Sequence, residues 1–256
     1  MSRYLPRLPD TEATLRLFCF HHAGGSAAAF KGWSDILGDQ VSVVPIQLPG
    51  REGRIREPRF TELEPLINEL ERELRPWRDL PHAFYGHSMG ALLAYTLTRR
   101  AARTGSRLPE ALIVGGYPAP HLPHALQLPP GIADEQLVDL LTGLGGLPSA
   151  IAQSPEWLSV LLPVIRDDLA VCATHQVAPP DPLDVPVHAL AGADDLLVDV
   201  ADVQAWAEHT TKEFTTETLP GGHFYPRDRP AAFYDALNRT VFGVVDMVNA
   251  GASARR

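Results

Sequence analysis

Short apolar runs alternate with stretches of helical periodicity along almost the whole chain, and this alternation constrains the fold more than any other feature. The runs cover 15–20, 41–46, 83–85, 111–115, 187–191 and 214–219. They have strand rather than helix length. Helical patterns lie between them, around 30–37, 61–74, 91–103 and 231–245. Strands that alternate with helices imply a mostly parallel, doubly wound α/β sheet. Pro45 removes a ladder donor from its run, which argues against a fully paired central position.

From about residue 121 to 184 the alternation lapses into helical segments, 132–144, 155–162 and 163–174, separated by glycine and proline. One domain over residues 1–256, carrying this stretch as a helical lid insertion, is the expected organisation. Leu137, Leu140, Leu141, Leu144, Leu158 and Leu161 recur there at helical spacing, and Gly143-Leu144-Gly145-Gly146-Leu147-Pro148 has the composition of a flexible joint. Such a lid would shape a pocket and admit a substrate. Three local expectations follow. Thr61 and Glu64 have capping-box spacing, Leu92, Tyr95 and Ala102 share one helix face, and residues 251–256 form a frayed tail.

The formal net charge of -9 disfavours nucleic acid as a partner. No run approaches the roughly 20 apolar residues of a membrane span, and the start lacks a signal pattern. Cys19 and Cys172 give neither a disulfide framework nor metal spacing. A cytoplasmic protein without a metal site is expected. The sequence leaves the oligomeric state open, with a monomer as the default.

Chemistry enters with Gly86-His87-Ser88-Met89-Gly90, a G-x-S-x-G turn between a short strand and a helix. In that context the serine sits on a strained elbow that presents its hydroxyl outward. A serine hydroxyl needs a base, and the base needs a group to hold its tautomer. In the α/β-hydrolase arrangement the order is serine, acid, histidine, the last two each after a late strand. Asp195 follows the run at 187–191 and His223 follows 214–219 within Gly221-Gly222-His223-Phe224. Asp194 competes with Asp195, although the apolar Leu196-Leu197-Val198 favours the latter. Met89 and Ala23, in His22-Ala23-Gly24-Gly25, are the candidate oxyanion donors. His87 adjoins the nucleophile but points away from it, so packing or support is its expected role.

Four blocks make the chain resemble the type II thioesterases that accompany polyketide synthases and nonribosomal peptide synthetases. They are Phe20-His21-His22-Ala23-Gly24-Gly25-Ser26, Gln47-Leu48-Pro49-Gly50-Arg51, Gly86-His87-Ser88-Met89-Gly90-Ala91, and Gly192-Ala193-Asp194-Asp195 with Gly221-Gly222-His223-Phe224. The resemblance implies hydrolysis of acyl groups from the phosphopantetheine thiol of an acyl or peptidyl carrier domain, clearing stalled or misprimed chains. It implies Ser88 as nucleophile, His223 as base and then acid, Asp195 as the orienting carboxylate, and no dissociable cofactor, since phosphopantetheine arrives with the substrate. That family usually has a proline where His21 stands and a basic residue near Tyr117. The rivals are a small-molecule esterase or lactonase on the same fold, and an inactive interaction module. Carrier domains are typically acidic, so docking on this acidic chain would call for a basic patch, either Arg51, Arg54, Arg56 and Arg59 or Arg99, Arg100 and Arg103.

Overall fold

The computed structural model describes residues 3–123, 126–129 and 131–254. The expected lid over 121–184 and frayed tail over 251–256 therefore lie partly outside the described residues, at His124, Ala125, Pro130, Arg255 and Arg256. Six strands form one sheet: β1 (Leu15–Phe20), β2 (Val41–Pro45), β3 (His82–His87), β4 (Leu112–Gly115), β5 (Val187–Gly192) and β6 (Phe214–Leu219). All are parallel, in the order β2-β1-β3-β4-β5-β6. Pro45 is the last residue of edge strand β2, where a missing N–H costs least.

The helices are α1 (Trp33–Leu37), α2 (Leu63–Leu74), α3 (Met89–Thr104), α4 (Asp134–Gly143), α5 (Ser149–Ala152), α6 (Pro155–Ala173), α7 (Val200–Gln204), α8 (Tyr225–Asp228) and α9 (Pro230–Ser253). Strand side chains alternate between two cores. Phe18, Phe20 and Phe84 point to the face covered by α2 and α3, whereas Leu15, Leu17, Cys19 and Tyr85 point to the face covered by α1 and α9. Both cysteines are buried and free of a disulfide. The chain runs from β1 out to β2 and returns past β1 to β3, so the strand order reverses between β1 and β3. In open parallel sheets that reversal leaves a crevice at the carboxyl ends of the strands.

The insertion between β4 and β5 contains α4, α5 and α6, and here the sequence reading needs correction. Pro163 does not separate two helices; it lies exposed inside α6. A mid-helix proline costs about 3 kcal/mol. Burial of Leu162, Val164, Ile165, Val171 and Cys172 on the other faces offsets that cost. Thr61 does not cap α2 either: Glu62 is the cap residue without a side-chain bond, and Leu63 N–H instead donates to Thr174 Oγ1 at the end of α6 (2.9 Å). On α3, Leu92 and Tyr95 are buried but Ala102 is exposed, the buried row running through Ala94, Leu97, Thr98 and Ala101. Residues 251–253 are helical as the last turn of α9 rather than frayed. Among the described residues no helix is long and apolar enough to cross a membrane.

Candidate active site

Ser88 stands between β3 and α3 with φ 55° and ψ −122°, a conformation that side chains other than glycine rarely adopt. The surroundings hold it there. A Cβ at Gly86 would collide with the Gly90 carbonyl, and one at Gly90 with the Phe20 carbonyl, so glycine at both positions lets strand, turn and helix close up. Ser88 N–H donates to Gly115 of β4 (2.7 Å), and Ser88 O accepts from Ala91 (2.8 Å). The strained turn is thus fixed by backbone contacts on three sides.

The loops after β5 and β6 bring the acid and the histidine together. Asp194 N–H donates to Gly221 O (2.9 Å) and Ala193 N–H to Leu219 O (2.8 Å), which ties the two loops. His223 Nδ1 meets Asp195 Oδ2 at 2.9 Å, while Asp195 Oδ1 accepts from the amides of Leu197 (2.8 Å) and Val198 (3.2 Å). A carboxylate only accepts, so Nδ1 carries the proton and Nε2 keeps its lone pair. Asp194 is exposed and lies on the solvent side of the same loop. Distance therefore selects Asp195, with its side chain only 1% exposed, as the partner of His223. Ser88, His223 and Ala23 line one cleft together with Leu141, Leu144 and Ile165. Met89 is the first residue of α3, so its N–H has no partner within the helix.

His87 supports the histidine loop from below. Its Nε2 donates to the His223 carbonyl (2.8 Å), and burial holds its pKa well below the ordinary histidine value. His21, where the family usually carries proline, is likewise kept neutral by burial, and its Nδ1 meets His22 O at 2.8 Å. Tyr117 is buried against the α2–α3 core, and its carbonyl accepts from Trp206 Nε1 (2.9 Å).

One part of the site was not foreseen from sequence. Arg51 pairs bidentately with Asp168 of α6, Nη1 to Oδ2 and Nη2 to Oδ1 both at 2.7 Å, with side chains 7% and 4% exposed. Asp168 Oδ2 also accepts from Gly24 N–H (2.8 Å), and Arg51 Nη1 donates to Gly25 O (3.0 Å). Gly24 has φ 76°, and Ile165 of α6 occupies the space a Cβ would need. The loop holding Ala23 is thus clamped to α6. The only local sequence signal is that Asp168, next to Asp167, falls three residues after Ile165 and three before Val171, on the apolar face of that helix.

The arginine clusters are largely committed inside the molecule. Arg54 is buried, bonded to Glu57 (2.6 Å) and Gln47 O (2.8 Å), and Arg59 pairs with Asp167 (2.6 Å). Arg99 and Arg103 lie 4.0 and 3.9 Å from Asp181, and Arg100 contacts Glu64 and Asn68. Only Arg56 of the first cluster is exposed without an ion pair among the described residues. No group of three or more histidine, cysteine or acidic side chains is placed to hold a metal among the described residues.

A serine on a strained strand-to-helix elbow, beside a histidine bonded to a buried carboxylate after later strands of a parallel sheet, defines an α/β-hydrolase. The thioesterase domain family matches residues 15–241, and the chain belongs to that family. It is 38% identical to the gramicidin S biosynthesis protein GrsT of Aneurinibacillus migulanus, over 84% of each chain. It is 33% identical to the thioesterase PikA5 of Streptomyces venezuelae, over 86% of this chain and 79% of that one. Among solved structures it resembles RedJ, the thioesterase of the prodiginine pathway in Streptomyces coelicolor, with a TM-score of 0.82 and 38% identity over 92% and 98% of the two chains. It also resembles BorB, the type II thioesterase of the borrelidin cluster (0.79, 35%, 94% and 96%). The chain is a thioester hydrolase, and the esterase, lactonase and inactive-module readings give way.

Proposed function

We propose that this enzyme removes acyl groups from the phosphopantetheine thiol of acyl or peptidyl carrier domains, through an acyl-enzyme on Ser88. The observation that carries the catalytic assignment is that His223, bonded to the buried Asp195, shares a cleft with the strained Ser88. His223 Nε2 takes the Ser88 proton as Oγ attacks the thioester carbonyl, and the N–H groups of Met89 and Ala23 stabilise the oxyanion. The intermediate collapses as the thiolate leaves and receives that proton. Water then attacks the acyl-serine, with His223 again as base. A thiol is far more acidic than an alcohol, so its departure needs less assistance than an ester's. No dissociable cofactor takes part in these steps.

The relatives' names support a place in polyketide or nonribosomal peptide biosynthesis. Clearing of stalled or misprimed chains is the role proposed there, by a monomer in the cytoplasm. The test is turnover of an acyl-carrier thioester by three variants. Ser88→Ala is expected to leave no acyl-enzyme by mass spectrometry and no turnover, with folding retained. Asp195→Asn is expected to lower kcat about 10⁴-fold through loss of the histidine tautomer, and Asp194→Asn to change it little. A Ser88→Ala variant that still turns over, or an Asp194→Asn variant that is the inactive one, would refute the assignment.

A further inference from the structure

The cleft that reaches Ser88 measures about 50 Å³ and is apolar except at three places. Among the described residues only Ser88, His223 and His22 bring a side-chain nitrogen or oxygen to its wall; leucine, isoleucine, phenylalanine, alanine and glycine make up the rest. Ser88 and His223 have their tasks in the acyl transfer. His22 has none, although a polar group facing an apolar space is costly unless it finds a hydrogen-bond partner there.

The surroundings fix the His22 ring but leave its nitrogens unused. Its carbonyl accepts from Gly25 N–H (2.9 Å) and from His21 Nδ1 (2.8 Å). Its imidazole stands edge to face with Phe224 (5.2 Å) and His87 (6.4 Å). The same two rings flank His223, Phe224 at 5.1 Å and His87 at 5.3 Å, so His22 and His223 share both ring neighbours as well as the cleft. No hydrogen bond or ion pair engages the His22 ring among the described residues. Burial pushes its pKa down to about 4, and the nearby His223, Arg227 and Arg51 act in the same direction. At pH 7 the ring is therefore neutral, and one of its nitrogens keeps a lone pair.

Deacylation is the step that needs such a group. The water that attacks the acyl-serine gives a proton to His223 Nε2, so it must stand where the thiol has left. Held by that bond alone, it can swing about it. With its second hydrogen also accepted, its oxygen lone pair is aimed at the carbonyl carbon. We propose that His22 is a further catalytic residue, accepting the second hydrogen of the hydrolytic water while His223 accepts the first. As the new C–O bond forms, the first proton passes to His223 Nε2 and the carbonyl π pair moves to the oxyanion. On collapse the C–Oγ bond breaks, its electron pair stays on Ser88 Oγ, and Nε2 returns the proton there. The second hydrogen leaves on the carboxylic acid, so His22 is unchanged by the step. A water needs roughly 10–15 Å³ of such space, and the cleft has room for it. This rests on the proposed acyl-enzyme reaction and adds the residue that directs its second half.

The test follows thiol release and acyl-enzyme separately, with octanoyl-N-acetylcysteamine as substrate. His22→Phe keeps an aromatic ring against Phe224 and removes both nitrogens. It is expected to release a burst of one thiol per enzyme at close to the wild-type acylation rate, then to turn over about 10²-fold more slowly, with octanoyl-Ser88 accumulating by mass spectrometry. Hydroxylamine attacks an acyl-enzyme without needing a positioned water, so it should speed this variant several-fold more than the wild type. His22→Asn, whose amide oxygen can accept from water, is expected to recover much of the lost rate. Enzymatic thiol release by Ser88→Ala would overturn the acyl-enzyme reading and this proposal with it. The proposal alone is overturned if His22→Phe turns over at the wild-type rate, if His22→Asn is as slow as His22→Phe, or if acylation in His22→Phe slows as much as turnover and no acyl-enzyme accumulates. That last result would make His22 a support for Ala23 only.

Discussion

Helix α6 and the pair α4–α5 belong to one insertion, yet they are held in different ways. Six residues of α6 are buried, among them Ile165, Asp168 and Val171. Polar ties join it to the rest of the molecule, among them Arg51–Asp168, Gly24 N–H to Asp168, Arg59–Asp167 and, at its cap residue, Leu63 N–H to Thr174 Oγ1. Helix α4 buries only Leu137 and α5 nothing, with Leu147 buried between them. Their polar ties are Arg166 to Ile132 O and Asp134, and Arg227 to Gly145 O. Local opening follows the amount of buried apolar contact. The α6 half, bonded to the loop that holds Ala23, is therefore expected to open less often than the α4–α5 half, whose Leu141 and Leu144 line the Ser88 cleft.

The largest effect is expected from cutting the clamp. Arg51→Met leaves Asp168 as an unpaired buried charge, which should destabilise the fold by about 3–5 kcal/mol, read as a lower urea midpoint. Arg51→Met/Asp168→Leu removes both charges and should recover most of that stability, since a buried pair replaced by apolar residues is often nearly neutral. Its kcat on a short thioester should nevertheless stay about 10²-fold low if Ala23 is the oxyanion donor proposed above, because Gly24 N–H has lost its acceptor and the neighbouring Ala23 its position. Full kcat in the double variant would reduce α6 to a cover and remove the distinction between the two halves.

How much of this the sequence shows depends on how each feature is fixed. The elbow, the histidine loop and the strands are legible because glycine spacing, apolar runs and, at β6, β-branched threonines report backbone demands locally. Asp195 and Asp194 are neighbours with the same chemistry; the apolar run after them only favours Asp195, and the 2.9 Å contact with His223 separates them. Arg51 and Asp168 are 117 positions apart, so their pairing depends on how α6 crosses the sheet. Pro163 reads as a break because propensity is local, whereas the burial that carries α6 through it is tertiary. Leu158 illustrates the same limit. Helical spacing groups it with the pocket leucines, but it lines a cavity on the outer side of the insertion with Asp134 and Arg166.

That placement gives an intermediate effect. Leu144 lines the Ser88 cleft and Leu158 does not. Each methylene in an apolar pocket is worth about 1–3 kcal/mol. Leu144→Trp should shift the kcat/KM profile toward shorter acyl chains by roughly that amount per methylene excluded, while Leu158→Trp should leave the profile in place. A shift of equal size from both variants would mean that the insertion moves as one body.

The smallest effect is expected at Arg59–Asp167, and it decides whether the clamp or the sum of tethers holds α6. Both side chains are more than a quarter exposed, 29% and 28%, and such partly solvated pairs contribute about 0–1 kcal/mol. A change of 1 kcal/mol corresponds to roughly a fivefold change in an opening equilibrium. In the wild type, hydrogen exchange should be faster for amides of 134–152 than for those of 155–173, because few apolar contacts hold the former. Arg59→Ala should raise exchange in 155–173 by no more than about fivefold and keep that order. Exchange of α6 at the rate of α4–α5 in this variant would show that an exposed pair, and not the buried Arg51–Asp168 pair, anchors the helix. The contrast between the halves would then rest on surface electrostatics and should collapse in high salt, where exposed pairs are screened within a few ångströms and buried ones much less.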